Sequence, residues 1–211
     1  MCSVLILGDD QEYPVPAFPG AFDAPGRSGR QNTPSIGGRL TLVSGVAACQ
    51  AIRQTTEVTP VLKWPNDLSI AGRKVGGILI ESRPVEPGRR AWVIGIGINC
   101  LQQAGHFPEE LRGSATSLEL ESSHPVDRTR VAGELLRALD GWLATSAWLS
   151  DPDLHAAWQS YAQPVGRRVR LRCDGREYVG RTLMVEPSGG LIVQCDDGRQ
   201  EWFDPMTTTL L

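Results

Sequence analysis

At 211 residues, 41% hydrophobic and 21% charged, the chain suits one medium domain, or one domain with a small appendage, and carries enough apolar residues to bury a core. A formal net charge of −3 argues against non-specific nucleic-acid binding as the main activity, and no apolar run reaches the ~18 residues that a membrane span needs. Five scattered cysteines (Cys2, Cys49, Cys100, Cys173, Cys195) form no CxxC pair or Cys/His cluster, so a disulfide framework, a zinc site or any other metal centre is not expected, and reduced thiols in a cytoplasmic protein are.

The apolar run Ser3 to Leu7 reads as a short strand, too short and without the basic flank for a secretory signal. Pro14 to Pro34 carries neither a helical nor an alternating period and reads as a long loop or a partly disordered segment. Within it lies Gly26-Arg27-Ser28-Gly29-Arg30, with Gly37-Gly38 further on. Glycine-spaced arginines can wrap a phosphate with backbone amides and guanidinium groups. A solvated loop is the favoured reading of the same residues. Leu40 to Arg53 has helical spacing at Leu40, Val43, Ala47 and Ala51, and its alanines suit close packing on a sheet.

The densest stretch follows, Lys63 to Glu81. Val61 to Trp64 reads as a strand kept extended by Pro65, Ala71-Gly72 as a tight turn, and Val75 to Ile80 as the returning strand. Onto this hairpin the sequence places Asn66-Asp67, Lys74 and the pair Gly76-Gly77. A lysine beside bare backbone can meet an anion, two glycines let a ligand lie flat on the strand, and an Asn-Asp pair can orient a base, a ribose or a magnesium ion. A structural turn with a solvated lysine accounts for the same residues. Pro84 to Arg90 reads as a loop. In Ala91 to Asn99, alternation sets Ile94, Ile96 and Ile98 on one face and Gly95, Gly97 and Asn99 on the other. A bare strand face implies a backbone or a ligand lying against it.

Leu101 to Ser123 reads as loop, with Ala115-Thr116-Ser117-Leu118 in its middle. Asp127 caps a helix to about Thr145 with the stripe Val131, Leu135, Leu139 and Trp142, and Asp151 caps a second helix bearing Leu154, Trp158 and Tyr161 as core. From Gly166 the texture turns to four or five short strands, with Val169, Leu171 and Cys173 inward and Arg168, Arg170 and Arg172 outward. Turns at Asp174-Gly175, Ser188-Gly189-Gly190 and Asp196-Asp197-Gly198 suggest a small SH3-like barrel whose arginine face is solvated.

The blocks Lys63-Trp64-Pro65-Asn66-Asp67-Leu68, Gly72 to Glu81 and Ile94-Gly95-Ile96-Gly97-Ile98-Asn99 closely resemble the biotin protein ligases, and the likeness runs from about Leu40 to the C-terminus. It implies an α/β (α+β) fold with a mixed sheet of the class II synthetase and lipoate-ligase type. Divided accordingly, the chain has a divergent segment 1–39, a catalytic-type core 40–163 and an SH3-like domain 164–211. The implied reaction takes ATP with Mg2+ and biotin to biotinyl-5′-AMP, then passes biotin to a lysine of a biotin carboxyl carrier protein. The implied catalytic residue is Lys74, beside a biotin or adenylate site of Arg27, Arg30, Asn66, Asp67, Gly76, Gly77, Ile78 and Asn99. A homodimer is compatible with this, while membrane or specific nucleic-acid partners are not expected, since no helix-turn-helix segment is legible before Lys63.

The departures lie upstream. Ala24-Pro25 stands where the family has a second Gly-Arg pair, Asn32 where it has tryptophan, and its Ser/Thr-Thr-Asn biotin motif has no counterpart, nor does one strand before the helix at Leu40. The chain therefore reads as an N-terminally shortened or divergent ligase. A non-catalytic binding remnant of the family is the alternative, and a lipoate or octanoate transferase a weaker one.

Overall fold

The computed structural model describes residues 2–9, 36–87, 89–144, 152–186 and 189–211, with 2–9 as backbone only. Most of the Pro/Gly-rich passage, including Arg27 and Arg30, lies outside the described residues, as does Asp151.

Among the described residues the fold has two five-stranded sheets and four α-helices. The first sheet has β1 (Cys2–Asp9), β2 (Val61–Lys63), β3 (Asp67–Ile70), β4 (Arg73–Glu86) and β5 (Arg89–Ile98), in the spatial order β1-β5-β4-β3-β2. Its ladders are all antiparallel, where the resemblance implied a mixed sheet; parallel pairing enters through the isolated bridges Leu62–Ala162 and Lys74–Ala115. The second sheet has β6 (Arg168–Cys173), β7 (Arg176–Val185), β8 (Leu191–Cys195), β9 (Gln200–Phe203) and β10 (Thr208–Leu210), in the order β10-β6-β7-β8-β9.

Helix α1 (Ile36–Thr55) is the centre of the core and is buried on every side from Gly37 to Cys49. It lies on the isoleucine face of the first sheet, where Ile78, Ile80, Ile94 and Ile96 are buried. Its glycines permit that approach. A Cβ on Gly45 would sit 3.0 Å from Leu62, and one on Gly37 would meet Met206 and Trp92 at 2.9 and 3.0 Å. Gly37-Gly38 is thus a helix-packing pair, not a continuation of the glycine-arginine loop.

On its outer side α1 meets α3 (Arg128–Leu143) and α4 (Pro152–Tyr161). Asp127 caps α3 by accepting from the amides of Thr129 and Arg130, and Val131, Leu135 and Leu139 are buried. Trp142 is half-buried and donates to Gln50 Oε1 at 3.0 Å. Leu154 and Trp158 of α4 are buried as expected, and Tyr161 packs beneath Arg53.

Three local readings change. Asp67 to Ile70 forms a strand of its own, so the expected hairpin is a three-stranded meander. Local polarity hid this, because Asn66-Asp67 resembles turn chemistry. Of the expected loop Pro84 to Arg90, Pro84 to Glu86 extends β4 and Arg89-Arg90 begins β5. The β3–β4 ladder covers β4 only from Arg73 to Gly77, and among the described residues no strand pairs with that edge beyond it, so Pro84, without an N–H, breaks no ladder there. Finally, 101–123 holds two single 3-10 turns and the short helix α2 (Leu118–Glu121).

In the second sheet the inward/outward alternation of β6 holds: Leu171 is buried, while Arg168 pairs with Asp196 and Arg172 with Glu177. The two sheets are joined by Trp64 Nε1 donating to Gly189 O at 2.8 Å and by Gln163 N donating to Leu62 O at 2.9 Å.

The segment after α2 docks on the end of α1 through Glu57. Its carboxylate accepts from Ser123 Oγ at 2.7 Å and from Ser122 Oγ at 3.1 Å, and the Ser123 hydrogen bond is the main reason that its pKa falls from 4.5 to about 2. A depressed carboxylate pKa contributes stability above its usual value, and that contribution disappears as pH falls towards 2. Glu57→Gln should therefore lose less stability between pH 4.5 and 2 than the unaltered chain does, measured by denaturant melts across that window.

Gly76 backs onto β5 so closely that a Cβ there would lie 2.5 Å from Gly97 O, whereas one on Gly97 would stand 3.9 Å from Gly77 O. Gly76→Ala should cost about 1–3 kcal/mol of stability by forcing the ladder apart, and Gly97→Ala less than about 1 kcal/mol, read from urea midpoints.

Candidate functional site

The site forms on the sheet face that α1 leaves open. In register, Asp67 of β3 opposes Gly77 of β4, and Gly77 opposes Gly97 of β5. Three strands thus present, in one row, a carboxylate and two residues without side chains. One step along, Leu79 opposes Gly95 and stands 60% exposed.

Lys74 reaches this face because the β3–β4 ladder shifts register between Leu68 and Ser69. Gly76 pairs with Leu68 on the core side, and Lys74, two residues earlier, pairs with Ser69. Without the irregularity Lys74 would share the core face of Gly76; the extra residue, Val75, turns it outward. Its ammonium then lies over Gly77, with a Gly77 Cβ position 3.5 Å from Lys74 Nζ and 3.7 Å from Asp67 Oδ1. Lys74 Nζ and Asp67 Oδ1 form an ion pair, the lysine about half exposed. A partly solvated pair of this kind is weak. An arriving anion can therefore take the ammonium at little cost.

The backbone of Lys74 is bracketed by a strap from Ser114 to Leu118. Lys74 N donates to Ser114 O at 2.7 Å, and Thr116 N donates to Lys74 O at 2.8 Å. Asn99 ties the strap to the end of β5: its Nδ2 donates to Thr116 O at 3.0 Å, its N to Val75 O at 2.8 Å, and its O accepts from Leu118 N at 2.8 Å. Asn66 is also used by the fold. Its Nδ2 donates to Ile78 O at 2.8 Å and its O accepts from Ile78 N at 2.9 Å, which fastens the turn after the cis Trp64–Pro65 peptide onto β4. In both asparagines one side-chain N–H serves the backbone, and the Oδ1 atom and the second N–H are what they can offer a ligand. Ile78 points into the core, at 4% exposure, and contributes main chain only to the open face.

Lys74, Asp67 and Asn66 line a cavity of about 400 Å3 whose far wall is Pro205, Met206 and Thr208 to Leu210 of the second sheet. That wall was not legible in the sequence, since no local pattern links residues some 130 positions apart. The roles of Arg73, Thr116 and Glu121, whose side chains join at 2.5 Å, were also missed. A Ser/Thr and Glu pair astride a short helix start is the one cue that could have marked them. Among the described residues no group of three or more His, Cys, Asp or Glu side chains gathers as a metal site.

The chain combines an α/β fold with a bare-backbone floor, a lysine over it and a second small sheet closing one side, and the sequence profile of the Biotin/lipoate A/B protein ligase family matches its residues 26–99. By sequence the chain is similar to the biotin ligases. It is 34% identical over 168 residues to the bifunctional ligase/repressor BirA of Bacillus spizizenii, covering 80% of this chain and 50% of that protein. It is 34% identical over 161 residues to the biotin--[acetyl-CoA-carboxylase] ligase of Mycobacterium tuberculosis, covering 73% and 56%. The chain thus spans about half the length of the curated relatives that it matches. Among solved structures, the biotin protein ligase from Aquifex aeolicus in complex with biotin and ATP shares the fold, with a TM-score of 0.71 at 22% identity over 99% of this chain and 77% of that one.

Asn66→Ala would remove the side-chain bond to Ile78 O while leaving the backbone bond from Ile78 N to Asn66 O, the ammonium and both floor glycines in place. We expect the loss of about 1 kcal/mol in stability typical of one hydrogen bond, read from urea midpoints of the intact chain, with the Ile78 amide keeping its exchange protection.

Proposed function

We propose that this chain is an ATP-dependent biotin protein ligase, and that Lys74 over the Asp67–Gly77–Gly97 row is its reaction centre. The flat two-glycine strip beneath the half-exposed Lys74 ammonium is the observation that carries the reading. The blocks Lys63 to Leu68, Gly72 to Glu81 and Ile94 to Asn99, and the biotin-ligase names of the relatives, support biotin over lipoate as the acyl group.

In this reading a biotin carboxylate oxygen attacks the α-phosphorus of ATP. The bond to the pyrophosphate oxygen breaks, leaving biotinyl-5′-AMP. The amine of a carrier-protein lysine then attacks the acyl carbon and AMP leaves. Lys74 exchanges Asp67 for the carboxylate and phosphate oxygens and stabilises the charge that grows there, while Gly76, Gly77 and the main chain of Ile78 keep the acyl group flat on the strand. Asn99 and Asn66 offer side-chain oxygens at either end of the floor. Arg27 and Arg30 belong to the same reading as phosphate or adenylate contacts from outside the described residues.

Asp67 is also the residue suited to Mg2+, which binds through one or two carboxylates plus substrate phosphates and keeps its waters; the ion would offset phosphate charge. A carrier domain is the acceptor. Leu79 and Val85, exposed on the length of β4 that β3 leaves uncovered, support a protein contact there, with the carrier or in a homodimer. The described cysteines are free, which supports the cytoplasm as its place. We divide the chain at 39/40 and 163/164, with the second sheet as an SH3-like domain, although α1 begins at Ile36.

The test is biotin-dependent exchange of pyrophosphate into ATP, followed by transfer to a carrier lysine. The unaltered chain should catalyse both. Lys74→Met should lose at least about 100-fold in exchange rate. Gly77→Val, which places side-chain atoms on the floor, should abolish biotin binding in calorimetry while the thermal midpoint stays close to that of the unaltered chain. No exchange by the unaltered chain would refute the ligase reading.

A further inference from the structure

Arg73 and Lys74 are neighbouring cations at the start of β4, and the fold gives them different partners. Lys74 pairs with Asp67 on the open face. Arg73 Nη2 instead lies 2.5 Å from Glu121 Oε1, and the same carboxylate oxygen accepts from Thr116 Oγ1 at 2.5 Å. The Glu121 side chain is 12% exposed, and Thr116 is wholly buried. A carboxylate so far removed from water is held by charge-assisted bonds, and losing one partner leaves the others poorly compensated.

These contacts close a ring. Arg73 is bonded in sequence to Lys74; Lys74 O accepts from Thr116 N; Thr116 Oγ1 donates to Glu121; and Glu121 returns to Arg73. Glu121 also sits at the end of α2, whose start is fixed by Ser117 accepting from Leu120 N at 3.2 Å and donating to Gln102 O at 2.6 Å. Neither Glu121 nor Thr116 lines the cavity that holds Lys74.

We propose that Glu121 is a positioning residue for Lys74, acting through Arg73 and Thr116. It rests on the ligase reading of the same site. The carboxylate holds the Arg73 guanidinium beside α2, so that it adds no further charge next to Lys74 and Asp67. It also holds the Ser114–Thr116 bracket closed on the Lys74 main chain, which fixes where the ammonium pivots. Because Glu121 does not touch the floor, its loss acts on the chemical step and leaves substrate affinity nearly intact.

The test uses the full chain and its Glu121→Gln, Thr116→Val and Arg73→Met variants, with two readouts. In biotin-dependent pyrophosphate exchange, Glu121→Gln should lower kcat about tenfold while KM for biotin and for ATP moves less than twofold, and adding Arg73→Met to it should cost little more. In amide hydrogen exchange, the Lys74 and Thr116 amides of Glu121→Gln should exchange about tenfold faster while Val193 in the second sheet keeps its rate. Unchanged amides at Lys74 and Thr116 overturn the proposal whatever the activity, as does a uniform acceleration throughout the chain or an effect confined to KM. An unaltered chain without exchange activity, but with the local loosening in Glu121→Gln, removes the ligase reading and sustains the ring as the device that places Lys74.

Discussion

The register shift between Leu68 and Ser69 is the constraint on which the site depends. Strand β4 has to satisfy two faces at once. Gly76, Ile78 and Ile80 pack against β5 and α1, and the opposite face must keep bare backbone and one cation. Regular alternation would carry Lys74 to the core side with Gly76, where an unpaired ammonium is untenable. One extra residue before Gly76 solves the conflict, and the added twist of a bulge turns the start of β4 towards the strap at Ser114. Both backbone bonds of Lys74 to that strap follow from this displacement.

A second constraint is the closeness of α1. Its glycines bring the helix axis near Leu62, Trp92 and Met206, and this proximity lets one helix serve the first sheet, α3, α4 and the second sheet together. The second sheet consequently stands near enough to wall the cavity with Pro205 to Leu210. An alanine at Gly37 would push against Met206, which lies on that wall, so packing at the helix start and the shape of the cavity are coupled.

Much of this was legible before any coordinates. The bare face of β5, the caps and stripes of α3, the alternation of β6 and the central blocks all follow from periods of two and 3.6 that a sequence displays openly. The fold class followed from the family resemblance that those blocks carry, and Asp67, Lys74 and Gly77 of the candidate site stand together on the open face. What escaped was non-local or irregular. A bulge leaves no local mark, Asp67 to Ile70 carries turn-like polarity at its start, and the Lys74–Ser114 and Thr116–Glu121 contacts are fixed by tertiary closure. Asn66 and Asn99 show the limit from the other side. Their placement at strand ends was clear, but both amides bond to backbone, a use that sequence cannot distinguish from ligand binding.

Gly189 has the positive φ of 88° and faces Gly38 so closely that a Cβ would come 2.7 Å from its carbonyl oxygen, while its own carbonyl accepts from Trp64. One residue therefore serves as the keystone between the helix start, the turn that carries Asn66 and Asp67, and the C-terminal sheet. That sheet is not an interchangeable module. A chimera that imports it from a relative inherits a working cavity only if the β7–β8 turn arrives with glycine at this point, because the main chain at the start of α1 leaves no room for a side chain there.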